Sequence, residues 1–481
     1  HPDNVFLAER IARLVNLDIC GIDMIAKDVS SPITAGNGAV IEVNAGPGLR
    51  MHLSPSRGNG RNVAEPLMRM LFPPGAPSRI PLVAVTGTNG KTTTTRLMAH
   101  IAKTAGHSVG FTSTDGIYIN GREIYHGDCS GPASAAVVLR DPIVDFAVLE
   151  CARGGILRSG LAFDKCDVSV ITNIAADHLG LGDIDTLDEL ARVKSVVARS
   201  TGRDGYAVLN ADDDLVYAMK NEVDCNVALF SMDENSERVS NHCDQGCIAA
   251  IVERGYFTLC KGEWRIRVAR VNDVPLTLDG RASCMIQNTL AAILAAAVRD
   301  VDVRVLRKAL MSFIPGPEMT PGRMNIFRFD GLEVMVDYAH NAHGMQQLAE
   351  FIKRVPSATK VGIITSPGDR RDEDIEGFGA EAAKIFDRLV IRHDKDTRGR
   401  SAEEITTLLK KGIHSVNHSI EPEIVSDEIT AIRHAMATAR EGTFIVVCSD
   451  AVRQAIDFLE NEAQRTANGK TLHQRVNSDS D

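Results

Sequence analysis

The sequence predicts an α/β protein with mostly parallel sheets, and three observations carry that prediction. An apolar run at residues 80–85 leads straight into Thr86-Gly87-Thr88-Asn89-Gly90-Lys91-Thr92-Thr93, a glycine turn between a buried strand and a helix. Further apolar strand candidates, at 146–149, 168–171, 334–336, 361–365, 388–391 and 444–448, alternate with helical stretches, as parallel sheets require. Proline-dense breaks at 72–77 and 315–322 then divide the chain into segments 1–73, 74–322 and 323–465, and the polar, aperiodic residues 466–481 read as a disordered tail. The length of 481 residues suits roughly three domains of about 150 each.

Composition narrows the functional classes. A net charge of −10 argues against a protein that wraps nucleic acid, and the apolar run at 290–298 is far too short to span a bilayer, so small molecules are the expected partners. Ten cysteines without paired spacing favour a reducing cytoplasm. The segment His242-Cys243-Asp244-Gln245-Gly246-Cys247 is poorly spaced for structural zinc and reads as a polar loop with incidental thiols.

Taken from the start, the chain opens on His1, and residues 5–16 run into a strand-like 17–25 without the pattern of a signal peptide, so it reads as cut from something longer. Glu42 and Asn44 stand two apart on a strand, on one face, able to share a cation. The block from Thr86 to Thr93 is a phosphate cradle. Its backbone N–H groups and the helix N-terminus would face an anion, Lys91 would reach terminal phosphates, and the Thr92 hydroxyl would hold a metal. The general pattern wants glycine where Val85 stands, so this cradle is a variant. Glu150 closes the strand at 146–149, at the carboxyl end where open α/β sheets present ligands. The stretch from Asn173 to Gly180 offers Asp177 and His178 at a second strand end, although alone these fit a helix cap and a surface histidine equally. Lys194 alone reads as a solvated helix lysine. Asp337-Tyr338-Ala339-His340-Asn341 follows another strand and could face a nucleotide from the last segment.

Four of these motifs, in the same order, resemble those of the Mur ligases, ATP-dependent enzymes that join an amino acid to a carboxylate, with folylpolyglutamate synthetase as a cousin. They are the cradle, Glu150, the block from Asn173 to His178, and Gly322-Arg323 with the group from Asp337 to Asn341. The resemblance implies a P-loop central domain on a parallel sheet and a Rossmann-like C-terminal domain. It also implies that Lys91 holds the phosphates of ATP, that Thr92 and Glu150 hold one Mg2+, and that His178 helps with a second. Lys194 matches the family's carbamylated lysine, and Asn288, Arg323, Asp337, His340 and Asn341 match nucleotide contacts. Ala342 stands where the family usually has proline.

The front segment is similar to the end of an ATP-grasp domain, where a Glu-x-Asn pair such as Glu42 and Asn44, with Asp23 nearby, binds the magnesium ions of a second ATP. An ATP-grasp end joined to Mur-like domains resembles bacterial synthetases that build a poly-aspartate backbone bearing arginine on each side chain, and the resemblance covers residues 1–465. It implies L-arginine, L-aspartate and a polymer primer as substrates, a homo-oligomer, and a chain lacking most of the ATP-grasp domain. Thr114, Arg153 and Arg158 are then candidate contacts to polymer or phosphates. The loop from His393 to Arg400 occupies the family's amino-acid specificity position, with Arg398 or Arg400 pairing the substrate carboxylate and Asp394 or Asp396 the guanidinium. The nearer alternative is a polymerase of preformed aspartyl-arginine dipeptides in which the Mur-like part is a scaffold. The more distant is a non-catalytic nucleotide-binding module.

Overall fold

The computed structural model describes residues 1–177, 179–180, 184–394 and 397–467, and two compact units emerge, His1–Ile80 and Pro81–Asp481. In the first unit a helix, Pro2–Val15, begins with proline at its first position, where the missing N–H costs nothing. An antiparallel pair follows, β1 (Gly21–Ala26) and β2 (Gly38–Asn44), in which Asp23 lies opposite Glu42. No residue of this unit is buried, and Phe6 and Leu14 are largely exposed, so residues 1–80 form no core of their own.

The second unit contains two sheets. The larger takes β3 (Leu82–Thr86), β4 (Val109–Ser113), β5 (Gly116–Ile119), β6 (Arg122–His126), β7 (Phe146–Glu150), β8 (Cys166–Ile171), β9 (Thr201–Asn210), β10 (Asn226–Ser231), β11 (Ile248–Glu253), β12 (Tyr256–Lys261) and β13 (Trp264–Arg270). Their order is β13-β12-β11-β10-β9-β8-β3-β7-β4-β5-β6. The strands from β11 to β4 are parallel, and antiparallel strands extend both edges. Every residue of β3 is buried, as expected of a central strand covered on both faces.

The smaller sheet takes β14 (Asn325–Phe329), β15 (Leu332–Asp337), β16 (Thr359–Ile364), β17 (Arg388–Arg392), β18 (Glu423–Val425) and β19 (Thr443–Cys448), ordered β14-β15-β19-β16-β17-β18 with only β14 antiparallel. One buried cluster runs from Val83, Leu97 and Met98 through Leu290 and Leu294 to Met335, Phe351 and Val446, and so joins the two sheets. Its middle is the helix Ser283–Ala297, which is apolar nearly all round and packs on the helix Lys91–Thr104.

Two local expectations change. The segment at 242–247 is not a loop throughout, because His242 and Cys243 end the helix Glu237–Asp244, where Val239 and Cys243 form a buried i, i+4 stripe and Cys243 meets Cys260. Residues 466 and 467 of the expected tail continue the helix Val452–Ala467, and the remainder of that tail lies outside the described residues. All ten cysteines are free, and among the described residues no helix is long and apolar enough to cross a membrane.

Candidate active site

The cradle is built by the end of β3 and held by the end of β8. Val85 is a regular strand residue paired with Glu150 and Val170, so the turn starts at Gly87 and the chain has no need of glycine at 85. Gly87 (φ 147°) and Gly90 (φ 86°) adopt conformations that L side chains rarely take. A Cβ at 87 would sit 1.8 Å from Thr172 Oγ1, and one at 90 would sit 2.2 Å from Asn288 Oδ1. Thr172 Oγ1 donates to the Asn89 carbonyl (2.6 Å), and Asn173 takes the Asn89 N–H (2.9 Å) while donating back to its carbonyl (3.1 Å). Lys91 Nζ folds onto the Thr88 carbonyl at 2.9 Å, at the mouth of the turn.

Glu150, at the end of β7, is buried and accepts from the Thr92 hydroxyl (3.0 Å), the Thr114 N–H (3.1 Å) and the Thr114 hydroxyl (2.8 Å). It makes no ion pair among the described residues. A buried carboxylate surrounded by hydroxyl oxygens and without a cation is the donor set a hard divalent ion would complete, so these residues fit magnesium. Lys194, on the helix Leu187–Arg199 that a Thr186–Glu189 capping box starts, is buried and donates from Nζ to the Gly87 carbonyl at 2.7 Å. Burial, and then the neighbouring charge of Lys91, bring its pKa down to about 7. The reading of this residue taken alone, a solvated helix lysine, does not hold, because the side chain is buried. Its helix turns this face toward the cradle.

A cleft of about 690 Å³ opens beside the turn, lined by Asn89, Lys91, Asn288, Arg323, Asp337 and His340 among others. Arg323 lies over the Tyr338 ring, 4.6 Å from its centre, and reaches the Thr92 hydroxyl at 3.3 Å. Asp337 is buried, which raises its pKa against the opposing pull of Arg323, and it accepts the Met324 and Ala339 N–H groups at 2.9 Å each. Asn341 caps its own helix, Ala342–Ile352, and Thr93 lines the cleft floor.

A second cleft of about 2180 Å³ continues from Lys91 and Thr114 along Arg153, Arg158, Lys194 and Arg398, with Asp128, Asp177 and Asp369 between these cations. Asp177 meets His340 (3.5 Å) and the buried Arg370 (3.4 Å), and Arg398 is 3.7 Å from Asp369. Asp394 is paired with Arg392, a buried guanidinium that also meets Glu428 (2.9 Å) and Asp450 (3.0 Å). Arg400 braces its loop through the carbonyls of Gly368 and Arg370 and through Asp372. His178 and Asp396 lie outside the described residues. In the first unit Asn44 donates to Glu42 at 3.1 Å. Asp128 and Asp369 line the cleft, and Arg370 reaches it through Asp177, none of them given a role by sequence reasoning. They come from loops that only the fold brings together.

Residues 85–296 match the Mur ligase middle domain, and residues 322–451 match the Mur ligase glutamate ligase domain; the chain belongs to the Mur ligase family. It is 50% identical over 460 residues to the cyanophycin synthetase of a Synechocystis species, covering 96% of this chain and 53% of that protein. The chain thus spans about half the length of the cyanophycin synthetases it matches. A more remote relative is the UDP-N-acetylmuramoyl-L-alanyl-D-glutamate–2,6-diaminopimelate ligase of Geobacillus thermodenitrificans, 24% identical over 77% of this chain and 73% of that one. Among solved structures, E. coli FolC in complex with DHPP and ADP shares the fold at a TM-score of 0.57, with 19% identity over 88% of this chain and 97% of that one.

Proposed function

We propose that this chain forms the arginine-adding half of a synthetase that builds an aspartate–arginine polymer, using ATP to activate an aspartate side chain. The observation that carries the proposal is the continuity of the phosphate cradle with a wide cleft of both charge signs, with Lys91, Thr114 and Lys194 at their junction. Such a cleft suits an acidic acceptor and a zwitterionic amino acid together.

The side-chain carboxylate oxygen at the polymer end attacks the γ-phosphorus of ATP, and ADP leaves. The α-amine of arginine then attacks the acyl phosphate carbon, loses a proton, and expels phosphate as the amide forms. No protein nucleophile is needed, so catalysis is positioning and charge neutralisation. Lys91 exchanges the Thr88 carbonyl for the transferring phosphate, Arg323 and Asn288 flank the nucleotide, and Arg153 and Arg158 hold acceptor carboxylates. Magnesium held by Thr92 and Glu150, and by His178 and a carbamylated Lys194, would neutralise phosphate charge. Arg398 binds the carboxylate of the incoming arginine. Because Asp394 already neutralises Arg392, and Asp369 lies between Arg370 and Arg398, Asp128 joins Asp396 as an acceptor for its guanidinium.

The first unit would complete an ATP-grasp domain that adds aspartate to the backbone, Glu42, Asn44 and Asp23 serving the magnesium ions of a second ATP. The assembly would be a homo-oligomer. Phosphate release by the full-length protein, with ATP, magnesium and a primer ending in unmodified aspartate, tests the central reading. Release that requires arginine and disappears in Lys91→Ala is expected, whereas arginine-independent behaviour of a folded, ATP-binding protein would refute it. Asp128→Asn should raise the KM for arginine about tenfold and spare that for ATP.

A further inference from the structure

His343 has none of the roles described above, yet it is bonded into the phosphate turn. Its Nδ1 lies 2.8 Å from Asn89 Nδ2, and its Nε2 lies 3.4 Å from the Gln347 amide. Both ring nitrogens face amide nitrogens, which donate, and a neutral imidazole accepts at only one of its two; the shorter contact, from Asn89 to Nδ1, is taken as the hydrogen bond, and the Gln347 nitrogen at 3.4 Å is a contact only. The Asn89 backbone is fixed from the other side by Thr172 and Asn173 at the end of β8. His343 belongs to the first turn of the helix Ala342–Ile352, which packs on the smaller sheet. The bond therefore ties the larger sheet's phosphate turn to the element that follows Asp337 and His340. Asn341, at 3.5 Å from the same amide, is occupied in capping its helix, so the direct bond is the one to His343.

We propose that the Asn89–His343 hydrogen bond is a latch that transmits nucleotide binding at the turn to the C-terminal sheet, with His343 a positioning residue that sets the arginine side of the site. The proposal rests on the ligase reading for its kinetic consequence but not for its structural one. Nucleotide phosphates bind the N–H groups of the same turn, so a filled cradle holds Asn89 in place and with it the latch. The charged groups facing His343 are Asp213 and Asp177, which favour the imidazolium; burial outweighs them and keeps the ring neutral. Protonation would set a donor against a donor, so the latch opens as pH falls through the lowered pKa of His343.

The test uses the full-length protein and three variants: His343→Leu, which removes the acceptor; His343→Asn, whose amide oxygen falls near the position of Nδ1; and Asn89→Ala. Hydrogen exchange of residues 337–348, with and without a non-hydrolysable ATP analogue, reports the latch without any need for turnover. Wild type and His343→Asn should gain protection on nucleotide addition. His343→Leu should bind the analogue within about threefold of wild type yet lose that gain, and its arginine-dependent kcat/KM should fall about tenfold. The protection gained on nucleotide addition should diminish as pH falls in wild type but not in His343→Asn. Equal protection in His343→Leu and wild type would overturn the proposal, as would an His343→Asn variant no better than His343→Leu. Absence of arginine-dependent turnover in wild type would sink the ligase reading alone, because the exchange experiment still decides the latch.

Discussion

Lys194 supports the most quantitative expectation. Its pKa of about 7 lies 3.5 units below the ordinary 10.5, a differential of order 5 kcal/mol against the charged form. At pH 7 about half of the amine is neutral, whereas an ordinary lysine would be neutral in roughly one molecule in 3,000. Because only the neutral amine attacks CO2, giving a carbamate and a proton, Lys194 should capture CO2 at neutral pH more readily than a surface lysine. The linkage has a definite sign. The folded pKa is depressed, so the stability contribution is present above about pH 10.5 and is lost progressively as pH falls toward 7. Carbon-13 NMR of the protein in labelled bicarbonate at pH 7–8.5 should show one carbamate resonance that Lys194→Met removes, and the variant's arginine-dependent phosphate release should fall about 10²- to 10³-fold. A folded wild type without that resonance, whose Lys194 titrates near 10.5, would refute the reasoning.

Other perturbations follow from the same geometry. Gly87→Ala adds a Cβ 1.8 Å from Thr172 Oγ1 at a φ of 147°, and calorimetry with ATP should find binding lost or weakened by at least tenfold. Glu150→Gln keeps the shape of the site but removes the uncompensated buried charge; turnover should drop about 10²-fold or more, and manganese bound in the presence of ATP, followed by electron paramagnetic resonance, should weaken. Arg392→Met leaves Asp394, Glu428 and Asp450 facing one another without their shared cation. Destabilisation of about 3–5 kcal/mol is expected in chemical denaturation of the C-terminal sheet, and a change under 1 kcal/mol would show that the cluster is already solvated.

What the sequence discloses here follows chain-local chemistry. The turn from Thr86 to Thr93 is readable because strand, glycines, lysine and hydroxyls are contiguous, and Glu150, Asp177 and Asp337 are readable because each follows an apolar run. Strand ends on a parallel sheet gather at one edge whatever the intervening loops do. Lys194 is not readable in this way. Its contact, the Gly87 carbonyl, is 107 residues distant, and its helix looks amphipathic and solvent-facing until the face packed on the sheet is known. Asp394 and Arg400 illustrate the converse. A loop rich in charge suggests substrate contacts, but Arg392, buried at the end of β17, draws in Asp394, while Arg400 is spent on two carbonyls and Asp372.

The two sheets have different tasks in this arrangement. The larger sheet brings phosphate-handling groups from three parallel strand ends, β3, β7 and β8, to fixed positions set by backbone pairing. On the smaller sheet's side His340, Asp369 and Arg398 line the second cleft, Asp337 lines the first, and His343 meets the phosphate turn. Arg323 bonds to Thr92 across that junction, and Asn89 bonds to His343. Each is a single hydrogen bond, worth of order 1 kcal/mol, set beside the Asp177 contacts to His340 and Arg370 and the buried cluster that the two sheets share. Under the ligase reading proposed above, a site divided in this way would couple activation of the acceptor to docking of the amino acid, and would keep an acyl phosphate from forming in a cleft open to water.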